Sequence, residues 1–252
     1  MPEINLITSA VQSRSVVASG GNIKNLFAEI NEDQSITLYG TSGKLLVGTL
    51  GGGGAIRGMI AANNLLYVVC ESTVYSVNAA YVVTTVGTIN TSSGLVSIAS
   101  NGLDVIIVDG VNGYLVNFTT NALSQITAAE FPNGVKYVDY LNGIYLVAGN
   151  DTQNFYGSAR FDGSSWDALS FGVADYKPDN LVRPFVSSSD LLNFGSVSIE
   201  YWSDTGAADF PIERSGNALL DIGCLAANSI CRLGSSVLFL GQTAQGKGTV
   251  YQ

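Results

Sequence analysis

The sequence predicts an all-β fold, and within that class a β-propeller built from four-stranded blades. The first observation is a repeat. Counting from Leu65 to Leu103, Ile144, Leu191 and Val237 gives steps of 38, 41, 47 and 46 residues, the span of a propeller blade. The second is a lack of good helical stretches. Val, Ile, Thr, Tyr and Phe dominate short runs separated by Gly, Asn, Asp and Ser. The third is composition. Charged residues make up 12% of the 252, roughly half the usual ~25%, and apolar residues 46%. Such a chain is not a disordered one. It is long enough to bury a large core, and so little surface charge suits burial beyond one subunit in a large assembly, a composition that some secreted β proteins share.

Residues 1–50 stand outside the repeat, as an extended segment with a polar, Ser-rich lead and one strand pair, Ser35–Tyr39 with Lys44–Val47. Gly51–Gly54 then lead into the blades of residues 51–252 as a flexible linker or a broad turn. No Lys-Ser, Lys-Thr or helix follows them, so they are not a phosphate loop. Each blade opens with a strand: Arg57–Ala61, Leu95–Ala99, Val135–Tyr140, Leu181–Val186 and Ser229–Leu233. A polar or glycine-containing pair and a near-continuous apolar run come next: Leu65–Val69, Leu103–Val108, Ile144–Val147, Leu191–Gly195 and Val237–Gly241. Such runs fit strands buried on both faces between neighbouring blades. A second inner strand, with aromatics, follows: Val74–Val77, Tyr114–Phe118, Phe155–Tyr156, Ser198–Trp202 and Val250–Tyr251. Outer hairpins complete the blades. The clearest is Phe161–Trp166, where Asp162-Gly163 is a type I′ turn signal. Asn121–Phe131 is the best helical candidate. Gln252 falls in the second inner strand of the fifth repeat, so four full repeats and part of a fifth are expected. An unfinished ring exposes a sheet edge; a truncated product and completion by another chain both fit.

Histidine is absent, which removes Ser-His-Asp and Cys-His triads, His-zinc sites and imidazole bases. The net charge is −9, and the 11 Lys and Arg are scattered singly from Arg14 to Lys247. Nucleic-acid binding normally needs a basic stripe, so no sequence-independent grip on DNA is expected. An acidic surface suits DNA that must slide past without sticking. Cys70, Cys224 and Cys231 lack a disulfide or zinc-knuckle pattern and read as buried free thiols of a protein folded in a reducing cytoplasm. The start, Met1–Asn5, has no secretory character, and the longest apolar runs are five or six residues, far short of the ~20 that span a membrane.

The remaining motifs point to no chemistry. Asp162-Gly163-Ser164-Ser165-Trp166 comes near a sialidase Asp-box, but its spacing fails and it occurs once. A glycosidase needs paired carboxylates. Asp139, Asp175, Glu200 and Asp209 could supply them, yet nothing singles out a pair. Trp166-Asp167 is a lone WD dipeptide with no upstream Gly-His. Asn90, Asn117 and Asn150 begin glycosylation sequons without a signal peptide. Asp109–Gly113 is a plain turn lacking the carboxylate of a calcium loop. No catalytic, cofactor-binding or metal residue is assigned, and no cofactor is expected.

Several segments resemble the tail-hub, or nozzle, proteins of short-tailed double-stranded DNA phages, the packaged-DNA stabilization proteins. They are Leu38–Gly43, Ile56–Met59, Leu66–Val69, Gly163–Leu169, Pro178–Val182, Phe194-Gly195 with Ser198–Glu200, Tyr201-Trp202 through Gly206 to Asp209–Arg214, and Phe239–Gly241. The resemblance spans roughly residues 38 to 251, and relatives continue past Gln252 with further blades. It implies a non-enzymatic virion component, made in the host bacterial cytoplasm. It also implies a homo-hexameric propeller ring below the portal and the head-to-tail adaptor, touching tail fibres or spikes and a tail plug or needle. That ring would retain packaged DNA and allow its ejection, the DNA passing without specific binding. The rival reading is a carbohydrate-binding or glycoside-cleaving propeller in which Trp166 or Trp202 stacks on sugar rings. A cytoplasmic peptide scaffold is a third.

Overall fold

The computed structural model describes residues 25–252 apart from 34, 244, 245 and 247, with only the backbone described for Ile30, Gly52 and Asn217. The chain divides into two compact units, Met1–Val47 and Gly48–Gln252. The expected Ser-rich lead lies outside the described residues. In the first unit, β1 (Leu26–Ile30) and β2 (Ile36–Gly40) form an antiparallel hairpin with Leu26 opposite Gly40. The expected partner of β2, Lys44–Val47, is not a strand. The local turn decides this. Asp33 accepts hydrogen bonds from the Ser35 N–H and hydroxyl, and Asn31 donates to Ser35 and Thr37, folding β2 back on the residues before it.

The second unit is the propeller, four antiparallel strands to each of five sheets. Blade 1 holds β3 (Ile56–Ala62), β4 (Leu65–Cys70), β5 (Thr73–Val77) and β6 (Val83–Thr88). Blade 2 holds β7 (Ser97–Ser100), β8 (Asp104–Val108), β9 (Gly113–Asn117) and β10 (Ala122–Gln125). Blade 3 holds β11 (Tyr137–Leu141), β12 (Ile144–Ala148), β13 (Asn154–Ala159) and β14 (Asp162–Val173). Blade 4 holds β15 (Leu181–Ser187), β16 (Asp190–Gly195), β17 (Ile199–Asp204) and β18 (Ile212–Leu220). In blade 5, β19 (Gly223–Cys224) and β20 (Cys231–Leu233) share one edge of β21 (Ser236–Gln242), and β22 (Gly248–Tyr251) takes the other.

The polar pairs of the repeat are the turns between a blade's first and second strands. Asn63-Asn64 (φ 50° and 59°) and Asn142-Gly143 (φ 45° and 95°) both place two residues in the left-handed region, as a two-residue turn that follows the sheet's twist requires. The Asp162-Gly163 turn is displaced. The tight turn is Arg160-Phe161, with Phe161 at φ 59°, and Gly163 lies inside β14. A Cβ on Gly163 would come within 2.8 Å of Leu115 and 2.9 Å of Tyr145, so glycine serves close packing there. The helical candidate Asn121–Phe131 is also corrected, since its start is β10, with Leu123 opposite Val116. Asn117 caps the preceding turn by accepting the Thr119 and Thr120 N–H groups, and Asn121 is left-handed at φ 49°. That turns the chain back along β9.

The core is four stacked interfaces, because a strand's side chains alternate between faces. Val105 and Ile107 of β8 pack toward Tyr67, Val69 and Val74 of blade 1. Ile106 and Val108 of the same strand pack toward Tyr145, Val147 and Trp166 of blade 3. Leu146 and Ala148 of blade 3 join Leu191 and Trp202 of blade 4, and Leu192, Phe194 and Ile199 face Cys224, Ile230 and Phe239 of blade 5. Two-sided burial explains why the inner strands read as unbroken apolar runs. Cys70 and Cys224 are buried, but Cys231 is exposed. It lies opposite Leu238 in the sheet, on the face turned from blade 4.

Candidate functional site

The four carboxylates singled out in the sequence do not converge on a common site. Glu200 is 2% exposed, between blades 3 and 4. Its Oε1 accepts the Tyr176 N–H at 2.8 Å, and its Oε2 accepts the Trp202 indole N–H at 3.0 Å and Arg214 Nε at 2.9 Å. Arg214 also reaches Asp175 at 2.5 Å and lies 5.2 Å from the Trp202 ring centroid. The hydrogen bond from Arg214 holds the Asp175 carboxyl below its ordinary range. Asp175 and Glu200 therefore share one guanidinium. Asp209 is exposed, on the loop before β18.

Asp139 belongs to a different device. A blade's innermost strand leaves edge N–H and C=O groups that need partners. Side chains of neighbouring blades supply them. The Ser97 hydroxyl of β7 accepts the Val138 N–H at 3.0 Å and donates to the Val138 carbonyl at 3.2 Å. Asp139 of β11 accepts the Val186 N–H at 2.8 Å, while Arg232 of β20 donates to the Val186 carbonyl at 2.7 Å. One residue of blade 4, Val186, is thus held by blades 3 and 5 together. Burial raises the Asp139 carboxyl above its ordinary range, partly offset by the Val186 and Tyr140 N–H groups and by Arg183 and Arg232. Arg57 of β3 instead ties down loops beside blade 1, donating to the carbonyls of Gly94, Glu71, Thr91 and Ser93.

These arginines went unread in the sequence because they are scattered singly. Three of the lone cations share a phase. Arg57, Lys136 and Arg183 each stand eight residues before the second-strand markers Leu65, Ile144 and Leu191. That phase sets Lys136 and Arg183 on the inner, axial edges of their blades. There the inner edges of blades 2 to 5 enclose a cleft of about 650 Å³, lined by Ser97, Asp109, Lys136, Tyr137, Arg183 and Asn228 among others. A second cleft, about 360 Å³ and mainly apolar, opens between blades 4 and 5 beside Leu192, Phe194, Ile199, Phe239 and Tyr251.

The other motifs are structural. Trp166 and Trp202 are 7% and 6% exposed and meet Phe131 and Phe155 edge-on, with centroids 4.9 Å apart in both pairs. Neither offers a face to a sugar ring. Asp109 accepts the Val111 and Asn112 N–H groups and the Thr91 hydroxyl, which makes it a turn cap. Asp162 likewise caps Ser164.

Residues 23–252 match the family described as bacteriophage P22 Gp10, beta-propeller. No curated protein sequence matches the chain. Among solved structures, virginiamycin B lyase from Staphylococcus aureus is similar at TM-score 0.51 and 11% identity, over 85% of this chain and 70% of its own. PorZ from Porphyromonas gingivalis is similar at TM-score 0.48 and 12% identity, over 77% of this chain and 28% of its own. The designed Ika4 protein is similar at TM-score 0.47 and 11% identity, over 64% of this chain and 99% of its own. The likeness to the lyase, at 11% identity, speaks for the fold alone.

Proposed function

The chain belongs to the bacteriophage P22 Gp10 beta-propeller family, a phage structural protein, and from that premise we propose that it builds the wall of a tail channel below the portal and adaptor. In that place it retains packaged DNA and lets it out at ejection. The family match over residues 23–252 carries this reading, and the charge distribution supports it. Residues 150–221, the outer part of blade 3 and all of blade 4, hold 11 acidic and 4 basic residues, a net −7 of the chain's −9. An acidic wall repels the phosphate backbone and gives duplex DNA nothing to grip. Retention then comes from a block in the channel, by a plug or needle, and not from affinity. Head-to-tail contacts around a sixfold ring would cover part of the sparsely charged surface.

Light scattering on the purified protein, and on virions dissociated into subassemblies, tests this. A species near six copies, or one that travels with portal and adaptor, is the expected result. A protein that stays monomeric and apart from both overturns the placement. Tight duplex binding at about 0.15 M salt would contradict the passive wall.

A further inference from the structure

The axial cleft contains a cation with spare hydrogen-bonding capacity. Arg183 lies 5.4 Å from the Tyr137 ring centroid and 5.8 Å from that of Phe185, so two aromatic groups fix its plane. A guanidinium carries five N–H donors. One nitrogen, Nη1, donates to the Ala227 carbonyl at 3.1 Å, while Nε is buried and has no acceptor within the protein. That nitrogen has no surface open to the cleft, so the donors a ligand can reach are those of the terminal nitrogens, where Nη1 has given only one of its two. Lys136 borders the same cleft. Its 3.4 Å pairing with Asp151 is solvent-exposed, the kind of ion pair that yields readily.

The neighbouring carboxylates are already committed. Asp109 caps its own turn and accepts the Thr91 hydroxyl. Asp139 accepts the Val186 and Tyr140 N–H groups. The acids of this region are therefore occupied by donors of the protein, while the Arg183 fork is largely unoccupied. A cleft of about 650 Å³ falls within the usual size of a small-molecule site, about 300–1,000 Å³. Planar two-point recognition of an oxyanion is what a held guanidinium does best.

We propose that the axial cleft is an oxyanion site in which Arg183 takes a carboxylate or phosphate group, with Lys136 as the second cation and Asn228 as a neutral partner. Isothermal titration of the full chain with inorganic phosphate and, separately, with citrate, at constant ionic strength against sodium chloride, tests it. Saturable binding of at least one anion is expected, and the tighter of the two identifies the class. Arg183→Lys, which keeps the charge and loses the fork, should weaken binding about 10- to 100-fold, and Arg183→Gln should abolish it. Lys136→Gln and Asn228→Leu leave the Arg183 contacts intact. They carry the test if the Arg183 variants lose their cooperative unfolding, and each should weaken binding several-fold. Three results overturn the site: no saturable heat up to about 10 mM of either anion, affinity unchanged in Lys136→Gln and Asn228→Leu, or equal weakening by Arg160→Gln, which does not line the cleft.

Discussion

The two faces of blade 4 solve the same packing problem in different ways. Toward blade 3 it presents Leu191, Trp202, Glu200 and Arg214, with the indole and the carboxylate joined to the guanidinium and Phe155 edge-on against Trp202. Toward blade 5 it presents Leu192, Phe194 and Ile199, with Phe239 edge-on to Phe194 at 5.1 Å, and the apolar cleft remains open beside them. Buried charge demands directional partners, and its loss is severe when one partner goes. Apolar contact has no such direction and tolerates a gap at the cost of lost dispersion. The first face is therefore built for one arrangement, and the second accepts adjustment.

The largest expected effect breaks the polar face. Arg214→Leu leaves Glu200 buried without its cation and should cost about 3–5 kcal/mol in urea unfolding. The double variant with Glu200→Gln should recover a good part of that, because the uncompensated charge is gone. Next comes a pair of neighbours that point opposite ways. Leu191→Ala empties a fully enclosed site and should fall toward the top of the usual range of about 2–5 kcal/mol. Leu192→Ala borders the cleft, where fewer atoms surround it, and should fall toward the bottom. Equal losses for the two would erase the contrast between the faces.

A smaller effect concerns Asn193, which lies opposite Glu200 in the sheet, is 1% exposed, and has neither side-chain polar atom hydrogen-bonded within the protein. Asn193→Leu should raise the free energy of unfolding by about 1 kcal/mol, because it removes buried polar atoms without breaking a bond. The smallest effect is the pH response of Asp139, which ties blade 3 to blade 4. Its folded carboxyl sits above the ordinary value of 3.8. The folded state thus binds the proton more tightly, and this site's contribution to stability falls as pH rises from about 3.8 through the raised value. Asp139→Asn should lose ground to the wild type at acid pH and regain part of it toward neutrality in paired urea melts. A difference that stays constant with pH would show that Asp139 does not titrate across this window.

Much of this architecture was legible in the chain. The inner strands announced themselves because two-sided burial writes an unbroken apolar run, and the turns because Asn63-Asn64 and Asn142-Gly143 supply the left-handed pairs that a tight hairpin needs. The outer elements were less legible. β10 is short, one-sided and helix-like in composition, and the partner of β2 was set by the Asn31–Ser35 turn, where Lys44–Val47 had an equally good strand pattern. Gly163 looked like a turn residue because the sequence does not show that Leu115 of another blade presses on it.

What the sequence by itself determined is the repeat, the inner strands and the chemistry ruled out by the lack of histidine and of a basic stripe. These depend on residues close together in the chain or on composition. Only the tertiary structure decided which isolated charges meet. Asp139 and Arg232 both reach Val186, Arg214 joins Asp175 to Glu200, and Arg183 is left with its Nε unpaired. Each of these pairings but one joins residues a blade or more apart, a distance over which local periodicity carries no information. The exception, Arg214 with Glu200, depends on a bulge in β18 that shifts the register by three residues. Charge partners in a propeller are chosen by how sheets stack and bulge, and neither is written in the spacing of a single strand.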